Sequence, residues 1–293
     1  MRAVLVGEAM LELSRDGETW RLGYGGDTLN TAIHMARAGV DIAYLTALGC
    51  DAMSADLRSK WQKEGIDCSL VLAHPSRSTG LYAISTDAAG ERSFSYWRSD
   101  SAARDLFALD AVDAALAKAA AADLLAFSLI SLAILPDAGR QQLVDLAALV
   151  RANGGKVAFD GNYRPRLWES REAACHWRDA AIGVADIGLP TFEDEEALSG
   201  VESADDVASH WQSLGCSEVI VKLGREGCRL PDGTIIAPEA VLCPVDTSGA
   251  GDAFNGGYLA VRLAGASPAE AACKGHALAG WTIMRRGAIP PRD

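Results

Sequence analysis

At 293 residues the chain is long enough for one large α/β domain or two small ones. Apolar residues make up 49% and charged residues 23% of it, the profile of a folded protein with a sizeable core. The formal net charge of −12 excludes a general nucleic-acid or anionic-membrane binder, whose faces must be rich in Lys and Arg. A small anionic ligand stays open, provided a local cluster of Arg or backbone N–H groups receives it.

In chain order, Val4 to Val6 and Met10 to Leu13 are short apolar runs, followed by glycines at 23, 25 and 26. A helix starts at Asp27 or Thr28, both good N-caps, with Leu29, Ile33 and Ala36 on its stripe and Gly39 at its end. Ile42 to Leu48 is a buried strand, and Met53, Leu57 and Trp61 mark the apolar face of a helix stopped by Gly65. Gly80 to Thr86 and Arg92 to Arg98 are strands joined by a hairpin loop at Asp87-Ala88-Ala89-Gly90. On the second strand Phe94, Tyr96 and Arg98 share a face, which fits a lid over a polar ligand; an ordinary amphipathic hairpin fits as well.

From Asp110 onward helices and strands alternate. The helices are Asp110 to Ala121, Asp137 to Arg151, Glu169 to Ile182, one opened by the capping box Thr191-x-x-Asp194, Ser203 to Leu214, Asp252 to Ala264 and Ser267 to Met284. The strands are Leu124 to Phe127, Val157 to Phe159, Ile187 to Leu189 and Val219 to Val221. This alternation predicts a mainly parallel sheet covered on both faces. With no linker or repeat, one α/β domain with a small β lid is expected. Seven scattered cysteines without a C-x-x-C pair predict free thiols in a reducing compartment. Met1 to Met10 does not read as a signal peptide, and no apolar run approaches the ~20 residues of a membrane span. A cytoplasmic protein is expected.

The strongest chemical signal is Asp246-Thr247-Ser248-Gly249-Ala250-Gly251-Asp252 directly before a helix pattern. Small residues let the backbone approach a ligand, and the helix start offers unpaired N–H groups: an anion hole. Asp252 at its edge can take the proton of an attacking hydroxyl, or can serve only as an acid stabilised by the helix dipole. Gly25-Gly26-Asp27-x-x-Asn30 is a second glycine-rich helix start. Two such starts suit a ligand bound beyond the carboxyl ends of the strands. Neither matches the Walker A pattern or the dinucleotide fingerprint.

Together these motifs resemble the two signatures of the ribokinase (PfkB) family of carbohydrate kinases. Tyr96-Trp97-Arg98 and Asp160-x-Asn162-Tyr163-Arg164-Pro165 are similar to its sugar-acid branch, and Gly7 to Ser14, Gly80-Leu81-Tyr82 and Arg286-Gly287-Ala288 fall in the family's order. The resemblance implies a ribokinase-like three-layer α/β/α fold with a β lid from residues 8–25 and 70–100. It implies transfer of phosphoryl from ATP with Mg²⁺ to the terminal hydroxyl of 2-keto-3-deoxygluconate, and leaves open a requirement for a monovalent cation such as K⁺. It implies a homo-oligomer with small-molecule partners only, neither nucleic acid nor membrane. Asp252 would be the base, and Gly249, Ala250 and Gly251 the anion hole. Gly26, Asp27 and Asn30 would hold sugar hydroxyls, and Tyr82 and Tyr96 would come from the lid. Arg98 and Arg164 would meet the carboxylate, for which a guanidinium is the natural partner. ATP would lie along Asn162, Arg164, Lys222, Gly224 and Ser248, with His276 near adenine and Asp194 at the metal. Three positions depart from the family pattern: Asp194 where Glu is usual, His276 where Asn is frequent, and Ser78-Thr79 where proline is frequent. A sibling kinase for a neutral sugar and a non-catalytic sugar-acid sensor are the alternatives; the two arginines oppose the first and Asp252 the second.

Overall fold

In the computed structural model, which describes residues 2–86 and 92–292, alternate residues of the first strand feed two different cores. That strand is β1 (Arg2–Val6); then come β2 (Met10–Asp16), β3 (Thr19–Gly25), α1 (Asp27–Arg37), β4 (Asp41–Leu48), α2 (Ala52–Lys63), β5 (Ile66–Asp67) and β6 (Val71–Ala73). Next are β7 (Gly80–Thr86), β8 (Arg92–Trp97), α3 (Val112–Ala119), β9 (Leu124–Ser128), α4 (Leu129–Ala133), α5 (Asp137–Ala152) and β10 (Lys156–Asp160). The chain continues through α6 (Arg171–Val184), β11 (Ile187–Gly188), α7 (Phe192–Ser199), α8 (Ala204–Ser213), β12 (Glu218–Val219), β13 (Val221–Lys222), β14 (Cys228–Arg229) and β15 (Ile235–Ile236). The final helices are α9 (Ala250–Leu263) and α10 (Pro268–Ile283).

The main sheet runs β12-β11-β10-β9-β1-β4-β5 with β6 also on β4, and its pairings are parallel. Val4, Val6, Leu125 and Phe127 point into one core; Ala3, Leu5, Leu124 and Ala126 point into the other. Strands apolar on both faces must be covered on both, which is why they read as continuous apolar runs. α3, α5, α6 and α8 cover the first side through residues such as Leu143, Ala181 and Trp211. α1, α2, α9 and α10 cover the second through Ile33, Trp61, Tyr258 and Ala271. The result is the expected three-layer ribokinase-like α/β/α fold. A second sheet, β3-β2-β7-β8, combines two antiparallel pairs with a parallel β2–β7 pair and forms the lid. A small antiparallel sheet, β13-β14-β15, lies near α10.

Several local expectations are corrected. α1 is preceded by Gly26 as N-cap, which has no side chain to make a cap bond, and Asp27 is instead the first helical residue, its carboxylate turned to Asn162. Met53 is 54% exposed, and the buried stripe of α2 is Ser54, Leu57 and Trp61, with Asp51 as cap through the Ser54 amide. α3 is shorter at both ends than 110–121. The run 219–221 is not one strand: β12 stays in the main sheet and β13 joins the small one. Thr191 caps α7 without a side-chain bond, so no capping box forms, and Asp194 turns elsewhere. The hairpin loop at 87–90 lies outside the described residues. No described helix is long and apolar enough to cross a membrane.

Candidate active site

The site lies where the N-termini of α1 and α9 meet beyond the carboxyl ends of β1 and β10. Asn30 Nδ2 donates to Asp252 Oδ2 at 2.7 Å, and Thr31 Oγ1 donates to the Asp252 carbonyl at 3.2 Å. The glycines make this approach possible. A Cβ on Gly26 would overlap the Glu8 carbonyl, and Gly249 adopts a left-handed φ of 69° where a side chain would overlap Ala288. Asp246 holds the α9 approach in shape by accepting the amides of Ser248 at 2.9 Å and Gly287 at 2.8 Å. The Ala250 amide turns back to the Thr247 carbonyl at 3.3 Å, so the hole rests chiefly on Gly249 and Gly251, next to the positive end of the α9 dipole.

Asp252 is half-buried in a field of other carboxylates. Desolvation first, then the charge of Asp27, push its carboxyl up to about 8; Asp160 adds to the rise, while the Asn30 bond and Lys222 oppose it. Asp27 is raised too, mainly by burial, and its Oδ2 accepts from Asn162 Nδ2 at 3.2 Å. Beneath them, Lys222 Nζ donates to Asp160 Oδ1 at 3.0 Å and to Asn255 Oδ1 at 3.2 Å, and Asn255 Nδ2 donates to Asp160 Oδ2 at 2.9 Å. A cavity of about 20 Å³ lined by Asp27, Ser128, Asp160 and Asn255 leaves room for about one water.

The lid supplies the roof. The β2, β7 and β8 registers place Glu12, Tyr82 and Tyr96 in one row, and the Tyr82 hydroxyl donates to Glu12. Tyr82 Oη sits so close to Gly25 that a Cβ there would lie 2.6 Å from it. The Tyr82 and Tyr96 rings are 6.0 Å apart, with Phe94 stacked on Tyr96. Arg98 departs from the expected picture of a guanidinium awaiting a carboxylate, since its Nη2 is already paired with the buried carboxylate of Glu8. A buried arginine needs a counter-charge when no ligand is present. Four buried polar atoms around this space have no protein partner among the described residues: Glu8 Oε1, Asn30 Oδ1, Arg98 Nε and Asn162 Oδ1. Such atoms are expected to meet a ligand or water.

On the other flank, Arg164 is half exposed and pairs with Asp194 Oδ1 at 3.2 Å, while Asp194 Oδ2 accepts the Tyr163 amide at 3.3 Å. Gly224, with φ of 55°, follows Lys222 by two residues. His276 is neither a surface histidine nor wholly free: its Nε2 bonds the Ile236 carbonyl at 3.0 Å and its ring lies 4.9 Å from that of Phe254. No described cluster of three His, Cys, Asp or Glu side chains could cage a metal. Mg²⁺ needs no such cage, because it takes one or two carboxylates, water and substrate phosphates. Asp194, raised by burial with Arg164 opposing, suits that donor set.

Glu8, Glu12, Asp160 and Asn255 are residues that sequence reasoning did not select. Asn255 was accessible through spacing, since it follows Asp252 by three residues and shares its helix face. The Glu8 and Glu12 partners lie 90 and 70 residues away, beyond any local pattern.

The family model for pfkB family carbohydrate kinases matches residues 2–293. The chain is 42% identical to a 2-dehydro-3-deoxygluconokinase of Escherichia coli (strain K12), covering 100% of this chain and 98% of that one. Among solved structures, a PfkB protein from Polaromonas sp. JS666 superposes with a TM-score of 0.85 at 29% identity, covering 96% of this chain and 95% of that one. A fructokinase double mutant from Vibrio cholerae O395, with fructose, ADP and potassium ion bound, gives a TM-score of 0.83 at 26% identity, covering 98% and 94%.

Proposed function

The chain belongs to the pfkB family of carbohydrate kinases, and on that premise we propose that it phosphorylates 2-keto-3-deoxy-D-gluconate (2-dehydro-3-deoxygluconate) with ATP, giving the 6-phosphate. The observation that carries the chemistry is Asp252: a carboxylate at the start of α9, fixed by Asn30 and roofed by the lid. Full-length similarity to a kinase of that name supports the substrate.

The terminal hydroxyl of the sugar acid lies against Asp252, which takes its proton as the hydroxyl oxygen attacks the γ-phosphorus and the bond from that phosphorus to the β,γ-bridging oxygen breaks, releasing ADP. A base poised near 8 is matched to this task, since the proton affinity needed in the transition state is high. Amides of Gly249 and Gly251 and the ammonium of Lys222 face the developing phosphoryl charge. Asn162, Gly224 and the Ser248 loop line the path of ATP. Mg²⁺, when bound with ATP, would neutralise the phosphate oxygens, with Asp194 as the candidate holder. Gly26, Asp27 and Asn30 receive sugar hydroxyls. Arg98 offers its unpaired Nε to the keto-acid end while Glu8 keeps its charge balanced, and Arg164 offers its exposed edge.

We read the chain as one catalytic unit working in the cytoplasm. Trp20, Leu22 and Trp97, exposed on the outer face of the lid sheet, support a homo-oligomer that covers them. Sedimentation of W20S/W97S against wild type checks this: a fall in assembly state is expected, and an unchanged state contradicts it.

The experiment for the reaction is product analysis. Incubation with 2-keto-3-deoxygluconate and Mg·ATP followed by phosphorus–carbon NMR should show phosphate coupled to C6. Phosphate at another carbon, or ATP hydrolysis without a phosphosugar, would contradict the placement of the terminal hydroxyl at Asp252.

A further inference from the structure

We infer that Asp160 and Asn255 are positioning residues for phosphoryl transfer, acting through Lys222; the inference rests on the proposed kinase reaction. The three side chains come from separate elements, the end of β10, the start of α9 and the end of β13, and close a ring. Both carboxylate oxygens of Asp160 are used, one by Lys222 at 3.0 Å and one by Asn255 at 2.9 Å. Asn255 accepts from Lys222 at 3.2 Å with its oxygen and donates with its nitrogen, so its amide has only one workable orientation.

Burial makes this ring specific. Asn255 is 3% and Lys222 8% exposed, so the lysine head is stripped of most water and faces the Asp160 carboxylate at 3.0 Å. An ammonium has three protons. Two are held by the ring, and the third has no acceptor among the described residues. The nitrogen stands 3.7 Å from where a side chain on Gly251 would begin, at the edge of the anion hole. The ring thus fixes a cation next to Gly251 with one donor left for a phosphoryl oxygen.

A free lysine would have to give up its rotamers at the moment of reaction; a pinned one has no reorganisation left to make. Asn255 also shares the first turns of α9 with Asp252, so base and cation are set on one rigid element. That arrangement keeps the proton acceptor and the phosphoryl-facing donor in fixed relation.

The test is a kinetic double-mutant cycle with 2-keto-3-deoxygluconate and Mg·ATP, using Asn255→Ala, Lys222→Met and the double variant. Misplacing the ammonium should lower kcat by ~10–100-fold in Asn255→Ala, with each KM within about threefold of wild type. The double variant should be no slower than Lys222→Met alone, because both remove the same interaction. Asp160→Asn, which keeps the shape but turns an amide donor toward a ring partner, should show the same kcat loss and the same non-additivity, and it supplies the answer should Asn255→Ala not fold. Multiplying effects in an active enzyme would overturn the inference and leave the proposed reaction standing. An inert wild type would overturn both.

Discussion

Replacing Asp252 by Asn should make the protein more stable, and increasingly so as pH rises. In the folded chain the Asp252 carboxyl keeps its proton up to about 8, whereas the unfolded chain releases it near 3.8. Between those values the folded state holds more protons, so this group's contribution is fully favourable below the lower value and is lost as pH rises through the upper one. At 1.36 kcal/mol per decade, the difference between pH 5.5 and pH 8 is at most ~3 kcal/mol. Water at the half-buried carboxyl screens part of it, so ~1–2 kcal/mol is the expected size. Asparagine never ionises, and its carbonyl can still accept from Asn30. Urea denaturation of both proteins at pH 5.5 and pH 8 gives the comparison directly. The gain of Asp252→Asn over wild type should grow between the two pH values. A constant difference, or a variant that loses ground at pH 8, would refute the placement of Asp252 among Asp27 and Asp160. The same substitution should lower turnover by ~10²–10⁴ while sugar acid and ATP still bind; more than a tenth of wild-type turnover would remove Asp252 as the base.

The pH profile of kcat/KM for the sugar acid should rise with pH up to about 8, since the ionised base grows in that direction; a profile flat from pH 6 to pH 9 would contradict it. Arg98→Ala should raise KM for the sugar acid by ~10–150-fold through loss of a charged hydrogen bond, and should destabilise the fold by leaving Glu8 buried and unpaired. Adding Glu8→Gln should restore stability and not KM; recovery of KM as well would make Arg98 a purely structural partner. Hydrogen exchange in peptides covering Gly80–Thr86 and Arg92–Trp97 should slow with sugar acid alone and not with ATP alone, because Tyr82 lies over the Gly25 and Asn30 end of the site. Protection by ATP alone would reverse the order of lid closure.

The main sheet was legible because strands buried on both faces leave continuous apolar runs, and β1, β4, β9 and β10 fall where those runs predict them. Asp252 and the glycine loop before it were legible because glycines that must admit a close neighbour sit directly before a helix pattern. β3 escaped because most of its residues are exposed, so no alternation marks it, and β14 and β15 are two residues each. Arg98 was found, but its pairing with Glu8 was not, since a neutralising partner from the end of β1 leaves no trace in the local sequence. Asp194 looked equally like a helix cap; only the fold shows its side chain turned to Arg164 and the Tyr163 amide. Sequence pattern located the groups whose backbone geometry is demanding, and missed those whose roles arise from packing across elements.

Coupled ADP release across 2-keto-3-deoxygluconate, gluconate, fructose and ribose with Mg·ATP decides whether the substrate is a sugar acid. The expected kcat/KM for 2-keto-3-deoxygluconate is at least ~100-fold above either neutral sugar, the discrimination that one buried charged hydrogen bond supplies. A neutral sugar turned over as efficiently as the acid would contradict it.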